Sequence, residues 1–368
     1  MTPPQEHQKL YSSPDTPPPD VPTPLKVLAS DPTSLAHLLS TGKTLHPFLL
    51  DNYHVIEELG AGGYGVVVRA LRVPDMQDVA VKILWRTKMP KEGWVAVTGW
   101  EPKLLTTPVV VPREAHILRQ ISHPGVIAYV DYFEDDNFLY LVMEHFGTPW
   151  NVEMARDSLP VSVTSSVPQA NAVNPVNSLH LDLSPKTSRP AGPIRRASRD
   201  LFECLEAYQR LPEETSKFIF KQLADTVCYL HRSGIVHCDL KDENIVIDAD
   251  FRVKIIDFGS AQMLDPLKPA PYHQKFRGTI TFAAPEILRG EVFQAPQAEV
   301  WALGCILSIL LTGKGPFASA DAARKAQISE PAAPIPLLAF DLMMGCLRLK
   351  PQDRLNICQI KDHPWLMD

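Results

Sequence analysis

The run Ile235-Val236-His237-Cys238-Asp239-Leu240-Lys241-Asp242-Glu243-Asn244, with Asp257-Phe258-Gly259 thirteen residues past Asn244, gathers an acid, an amine and two metal-ligand types. Phosphoryl transfer asks little covalent chemistry of a protein: a hydroxyl must be positioned, phosphate charge screened and a divalent cation held. Each task has a candidate here. Asp239 suits the hydroxyl proton, Lys241 the γ-phosphate, and Asn244 and Asp257 the Mg²⁺ ion.

Such a loop needs a nucleotide brought to it, and the upstream sequence carries the parts. Leu59-Gly60-Ala61-Gly62-Gly63-Tyr64-Gly65-Val66-Val67 holds glycines in the Gly-x-Gly-x-x-Gly pattern. Glycines let a hairpin backbone approach phosphates with no Cβ in the way. By itself the pattern also suits a dinucleotide fingerprint, but that arrangement needs the third glycine to open a helix. Here the β-branched Val66, Val67 and Val68 follow and read as a second strand. Val79-Ala80-Val81-Lys82 is an apolar strand ending in one amine. Seen alone, Lys82 is a solvated strand-end charge; after the glycine loop it reads as the ligand of the α- and β-phosphates. Its ammonium needs an anion to fix it, and Glu114 stands at the start of an amphipathic helix in Arg113-Glu114-Ala115-His116-Ile117-Leu118. Glu114 also suits the ordinary role of a helix N-terminal acid, and Glu101 beside Pro102 is the weaker partner for Lys82.

These residues resemble the eukaryotic protein kinase family, and the resemblance runs from roughly Asp51 to Trp365. Ala284-Pro285-Glu286 closes the activation segment that Asp257-Phe258-Gly259 opens, and Arg354 stands where kinases keep the arginine that pairs with that glutamate. Lys241 in Asp239-Leu240-Lys241 and the pair Gly278-Thr279 look like the serine/threonine branch. Within it, the stretches around Asn244, Asp257 and Glu299 look closest to the PAS kinases, near the Pim and calcium/calmodulin-dependent kinases. Only the kinase half of that comparison applies to this chain. The resemblance implies ATP and Mg²⁺ as cofactors, protein substrates, and an intracellular signalling role. It implies Met143 as gatekeeper, with the Glu144 carbonyl and Phe146 amide bonding the adenine. It carries over Leu59, Gly60, Gly62, Gly65, Val67, Ala80 and Lys82 as further ATP-binding positions, and Asp200 as an acid near the ribose and substrate. Asp200 also suits a helix N-cap, a role compatible with the first.

Two positions depart from the pattern. Cys238 replaces the arginine that in most kinases pairs with a phosphorylated activation segment and orders it. Between Ser260 and Thr279 that segment contains no Ser or Thr, only Tyr272. Sensor and signal are missing together, which implies an enzyme ordered without activation-loop phosphorylation. Glu299 stands where most kinases have Asp; its carboxylate can still accept backbone hydrogen bonds from the catalytic loop. Two rivals remain: a pseudokinase acting as scaffold, opposed by the intact base and metal positions, and a small-molecule kinase, opposed by Gly278-Thr279 and Ala284-Pro285-Glu286.

Composition narrows the class further. With 36 basic and 42 acidic residues the net charge is −6, which argues against nucleic acid as a partner. The six cysteines include no Cys-x-x-Cys pair, so neither a zinc site nor a disulfide framework is indicated, and a cytosolic or nuclear setting fits. The N-terminus lacks a basic region followed by an apolar core, and Met1-Thr2 excludes the myristoylation glycine. The strongest apolar run, Val300 to Leu311, is too short to span a bilayer and reads as a buried helix, so no membrane partner is expected. Oligomeric state is not encoded in any pattern here.

The elements that must position these groups fall into an α+β, two-lobed order, with a small antiparallel-sheet lobe before a larger helical lobe. Residues 1–24 hold eight prolines and little that could pack, so 1–50 is expected to be mostly a disordered tail, its more apolar end offering a short helix laid on the kinase. The small lobe is expected over 51–147, with strands at Tyr53 to Leu59, Val66 to Arg69, Val79 to Leu84, Val126 to Phe133 and Phe138 to Glu144. A low-complexity insertion is expected over 148–198, free of Phe, Tyr and Trp from Asn151 to Ser198, with its ends close together. It contains Arg195-Arg196-Ala197-Ser198, either a site for basic-directed kinases or a solvated linker. The large lobe is expected over 199–366, with helices at Asp200 to Tyr208, Glu213 to Ser233, Glu299 to Thr312 and Leu337 to Leu347. Ligand at the seam between lobes is the expected arrangement.

Overall fold

Alternation of apolar residues builds the small lobe. In β2 (Gly65–Arg72) Val66, Val68 and Ala70 are buried on one face, as are Val79, Val81 and Ile83 in β3 (Gln77–Trp85). A period of two sends the intervening residues to the opposite face. A computed structural model of the chain describes residue 35 and residues 43–100, 108–150, 199–331 and 334–367. With β1 (Tyr53–Gly62), β6 (Tyr129–Glu134) and β7 (Phe138–Glu144), these strands form a five-stranded sheet in the order β1-β2-β3-β7-β6. All its pairs are antiparallel. The register sets Val67 opposite Lys82 and Ala80 opposite Met143, which lines all four up on one face.

The other face is covered from an unexpected direction. α1 (Pro47–Asn52) starts with Pro47 in its first turn and with His46 accepting from the Phe48 amide at 3.0 Å. Leu35, Leu45 and Leu49 pack with Tyr53 onto Val66, Val81, Tyr140 and their neighbours. The His46 amide donates to the Tyr140 hydroxyl (3.0 Å), which donates to Asp135 (2.9 Å). The small lobe therefore begins before residue 51, and at least 43–52 belong to it rather than to a tail. The rest of residues 1–42, apart from Leu35, lies outside the described residues.

A second departure lies between β3 and α2 (Arg113–Gln120), where the sequence reading placed no element. The 3-10 turns Arg86–Lys88 and Lys91–Gly93 lead into an antiparallel pair, β4 (Trp94–Val97) with β5 (Val109–Pro112). A third concerns Val126, expected in a strand of the sheet. It bridges Ile255 of the large lobe instead, flanked by bonds from Ile127 to the Ile255 carbonyl (3.1 Å) and from Ile255 to the Gly125 carbonyl (2.8 Å). Glycine is required there because a Cβ on Gly125 would fall 1.9 Å from Thr226 Oγ1.

The large lobe is built on α3 (Leu201–Tyr208), α4 (Glu213–Arg232), α5 (Ala295–Thr312), α6 (Leu337–Cys346) and α7 (Ile357–Lys361). Helix α5 begins four residues before its expected start at Glu299, because Pro296 suits the first turn of a helix. It ends at Gly313, whose φ of 72° is the left-handed conformation that closes helices. By length and composition α5 could cross a membrane, yet Trp301, Leu303, Ile306, Leu307 and Leu310 are all fully buried in the lobe, as a core helix requires. The catalytic loop leaves α4 through β8 (Ile235–Val236), then returns as the hairpin of β9 (Ile245–Ile247) and β10 (Val253–Ile255).

The expected insertion starts later than its composition implied. The Thr148 amide donates to the Ile247 carbonyl (3.0 Å), and Trp150 is buried against Phe251 and Tyr208. Gly147 and Arg199 touch, Arg199 Nη1 donating to the Gly147 carbonyl at 2.7 Å, so the chain departs and returns at neighbouring points. Residues 151–198, including Arg195, Arg196 and Ser198, lie outside the described residues. Trp150→Ala should destabilise the large lobe by about 3–5 kcal/mol, the usual cost of emptying a buried aromatic site. Urea denaturation followed by far-UV circular dichroism measures this, and a change within error would contradict the packing role.

Candidate nucleotide and phosphoryl-transfer site

The glycine turn joins β1 to β2 with Gly62 opposite Gly65. Its glycines differ in purpose. Among the described residues nothing lies within 4 Å of a Cβ built on Gly60, Gly62 or Gly63, whereas one on Gly65 would fall 2.0 Å from the Ile83 carbonyl oxygen. Gly65 is thus demanded by strand packing, and the other three leave the turn open toward the cleft.

Beneath the sheet lies a cleft of about 250 Å³ lined by Leu59, Gly60, Val67, Ala80, Lys82, Met143, Glu144 and Phe146, all expected from sequence. Asn244, Val246, Ile256 and Asp257 close it from the large lobe. The cleft continues under the glycine turn into a wider opening of about 660 Å³ lined by Gly62, Gly65, Asp239 and Asp257. Its apolar inner walls and polar outer end suit a flat base inside and phosphates outside. The Glu144 side chain accepts from the Ala128 amide and from Lys254 Nζ, both at 2.7 Å, which fixes the strand that leads out of the sheet.

One expected position takes the second of its two compatible roles. Asp200 caps α3, Oδ1 accepting from the Glu203 amide at 2.8 Å, and lines neither part of the cleft. Arg199 lines it instead. The Asp-x-x-Glu spacing of Asp200 and Glu203 was the available signal for a cap. Ile127, Val246 and Ile256 were also missed, since apolar residues of short strands show no sign of which ligand they face.

Lys82 lies between two carboxylates. Its Nζ is 2.7 and 2.9 Å from the oxygens of Glu114 and 2.9 Å from Asp257 Oδ1. Desolvation by burial would lower its pKa, but the Asp257 and Glu114 charges outweigh that and raise it. Lys82 in turn pulls Asp257 down to about 2. Burial pushes the Glu114 carboxyl up, and the two contacts with Lys82 offset that cost. Glu101, the alternative partner, lies outside the described residues. Asp257 has φ 63°, an uncommon left-handed conformation for a non-glycine residue. Its neighbour Phe258 is fully buried against His237.

The catalytic loop is held from below. Cys238, also left-handed with φ 65°, donates its amide to Glu299 Oε2 at 2.7 Å, while Glu299 Oε1 lies 3.0 Å from His231 Nε2. The longer glutamate therefore supports the loop by its backbone, as its chemistry allowed. Asp239 Oδ1 accepts from both the amide and the hydroxyl of Thr279, each at 2.7 Å, and Asn244 Nδ2 donates to the Asp239 carbonyl at 2.8 Å. Lys241 is paired with Glu243 at 2.7 Å. Farther down, Arg354 forms a two-pronged buried pair with Glu286, at 2.8 and 2.6 Å.

Comparison with known proteins adds to this geometry. The family model described as protein kinase domain matches residues 53–162 and 195–366. The mouse PAS domain-containing serine/threonine-protein kinase is 31% identical over 314 residues, covering 85% of this chain and 18% of that protein. Schizosaccharomyces pombe serine/threonine-protein kinase cds1 is 29% identical over 328 residues, covering 85% of this chain and 58% of that protein. The Arabidopsis thaliana SNF1-related protein kinase catalytic subunit alpha KIN12 is 27% identical over 322 residues, with 86% and 52% covered. The chain spans less than two thirds of each of these relatives.

Asp242, within the same loop, is buried and accepts from the Glu243 amide at 3.1 Å. Burial pushes its carboxyl from 3.8 up to about 6. The folded chain then binds this proton more tightly than the unfolded chain, so stability falls as pH rises through that interval and the deficit persists above it. Asp242→Asn should therefore raise the unfolding free energy by up to about 3 kcal/mol at pH 8 and scarcely change it near pH 3. Urea titrations at the two pH values check this; an equal effect at both would sink it.

Proposed function

The chain belongs to the protein kinase family, and on that footing we propose that it is an active protein serine/threonine kinase, transferring the ATP γ-phosphoryl group to Ser and Thr hydroxyls of protein substrates. The convergence of Lys82, Glu114, Asp239, Asn244 and Asp257 on one cleft carries this reading. A scaffold without chemistry would have no use for a buried amine held by two carboxylates beside an acid facing the opening. The names of the relatives, Lys241 and the Gly278-Thr279 pair support the serine/threonine choice.

The cleft fits the nucleotide with adenine against Ala80, Met143 and the Glu144 to Phe146 backbone, and Lys82 on the α- and β-phosphates. Asn244 and Asp257 would hold Mg²⁺, which supplies neutralisation of the phosphate charge. Asp239 accepts the proton of the incoming hydroxyl. Thr279 aims that carboxylate through two bonds to one oxygen, leaving the other for the substrate and Asn244. Lys241, paired with Glu243 at 2.7 Å, would have to leave that pair to reach the γ-phosphate.

The finer reading is an intracellular signalling enzyme, cytoplasmic or nuclear, that needs no phosphate on its activation segment. Cys238 supports the last point, because a thiol cannot make the charge-assisted pair that a phosphate requires. The free thiols of all six cysteines suit a reducing compartment.

Asp239→Asn should lower kcat on a Ser/Thr peptide by at least about a hundredfold, the size of a positioned base, with the KM for ATP nearly unchanged. Near-normal turnover in that variant would refute the assignment. Phosphatase treatment of the wild-type chain should leave specific activity largely unchanged, and strict dependence on phosphate at Tyr272, Thr279 or Thr281 would overturn the finer reading.

A further inference from the structure

The segment between β3 and α2 brings a carboxylate to the activation segment from the other lobe. Glu92, in the turn Lys91–Gly93, lies 3.0 Å from Arg277 Nη2 and 3.4 Å from Lys275 Nζ through the same oxygen, Oε1. These two cations follow β11 (Tyr272–His273), where the segment is already pinned to β12 (Phe293–Gln294). Beyond them come Gly278 and Thr279, and Thr279 makes both bonds to Asp239 Oδ1. Gly278 lies so close to the catalytic loop that a Cβ on it would fall 2.5 Å from the Cys238 carbonyl oxygen. Arg277 is therefore one rigid glycine away from the residue that aims the base.

Charge balance explains what the carboxylate is for. Arg113, the first residue of α2, donates to the Ala261 carbonyl at 3.2 Å, and its pKa is lowered by burial and by the nearby Arg277 charge. Arg113, Lys275 and Arg277 thus crowd the junction of α2 with the activation segment. Among the described residues, Glu92 is an acid that answers them there. Without it, repulsion would push Arg277 away from α2 and carry Thr279 with it.

We propose that Glu92 is a positioning residue for the base Asp239: a fixed carboxylate, lent by the β3–α2 segment, that holds the activation segment where other kinases use a phosphate. The assignment rests on the reading that this chain needs no such phosphate. It also gives that reading its anion, since Glu92 supplies Lys275 and Arg277 with the negative charge. The pairs are solvent-exposed, with Glu92 at 45% and Lys275 at 73% exposure, so their effect is modest and sensitive to salt.

The test uses the full chain. Glu92→Gln should lower kcat about three- to fivefold, as expected of exposed ion pairs, with the KM for ATP unchanged. Rising ionic strength should bring wild-type kcat down toward that of the variant while barely moving the variant. Exchanging the charges, with Glu92→Arg and Arg277→Glu together, should recover activity relative to either change alone. Amide hydrogen exchange gives a readout independent of turnover: Glu92→Gln should speed exchange over residues 272–279 and leave α5 unaffected. Equal kcat and equal exchange in wild type and Glu92→Gln overturn the role of Glu92, even where phosphatase-treated wild type stays active and the parent reading stands. Loss of activity on phosphatase treatment, with exchange over 272–279 rising as the phosphate leaves, overturns both.

Discussion

One ammonium, shared by two carboxylates from different parts of the chain, sets the geometry of everything around it. Lys82 comes from β3, Glu114 from α2 and Asp257 from the segment after β10, so three elements separated by up to 175 residues must meet within 3 Å of one nitrogen. Burying a lysine is costly unless its charge is answered, and burying Glu114 is costly for the same reason. Each therefore requires the other, and the pair forbids α2 from swinging outward. Asp257 is about half exposed and less committed.

The catalytic loop depends on a quieter arrangement of the same kind. Left-handed backbone at Cys238 and at Asp257 costs on the order of 1–3 kcal/mol each and persists only where the surroundings over-determine it. At Cys238 the surroundings are the buried Glu299 carboxylate below and Gly278 above. The bend turns Asp239 toward the cleft, and Thr279 fixes its orientation. The Arg354–Glu286 pair anchors the far end of the activation segment, so the segment is tied at both ends.

Much of this was legible in the sequence because the chemistry is local. Glycine spacing, the Asp239 to Asn244 loop and the Asp257 turn are short patterns whose residues act together, and the cleft contains nearly all of them. The Lys82–Glu114 pair was legible because a lysine at the end of an apolar strand needs an anion and Glu114 opens an amphipathic helix, and the structure brings the two together. Elements fixed by long-range contact were not legible at all. Glu92 gains its meaning from Lys275, 183 residues away. Trp150 sits beside a polar stretch that gives no sign of burial, although its ring packs on Phe251. Asp200 takes the cap of α3, one of the two compatible roles its sequence offered, as its spacing with Glu203 describes. The apolar run at Val126 suits a strand of the sheet, yet Val126 bridges Ile255 of the other lobe where Gly125 lies close to Thr226.

The layer formed by Leu35, Leu45, Leu49 and α1 has a practical consequence for anyone handling fragments of this protein. It hides Val66, Val68, Val81, Ile83 and Tyr140, which form one continuous oily surface on the outer side of the sheet. A fragment cut at Asp51, where motif boundaries invite the cut, would keep every group that does chemistry and yet present that surface to solvent. Apolar patches of this kind drive proteins to stick to one another. Such a fragment would fail by clumping during expression, and its silence in an assay would be mistaken for a lack of activity.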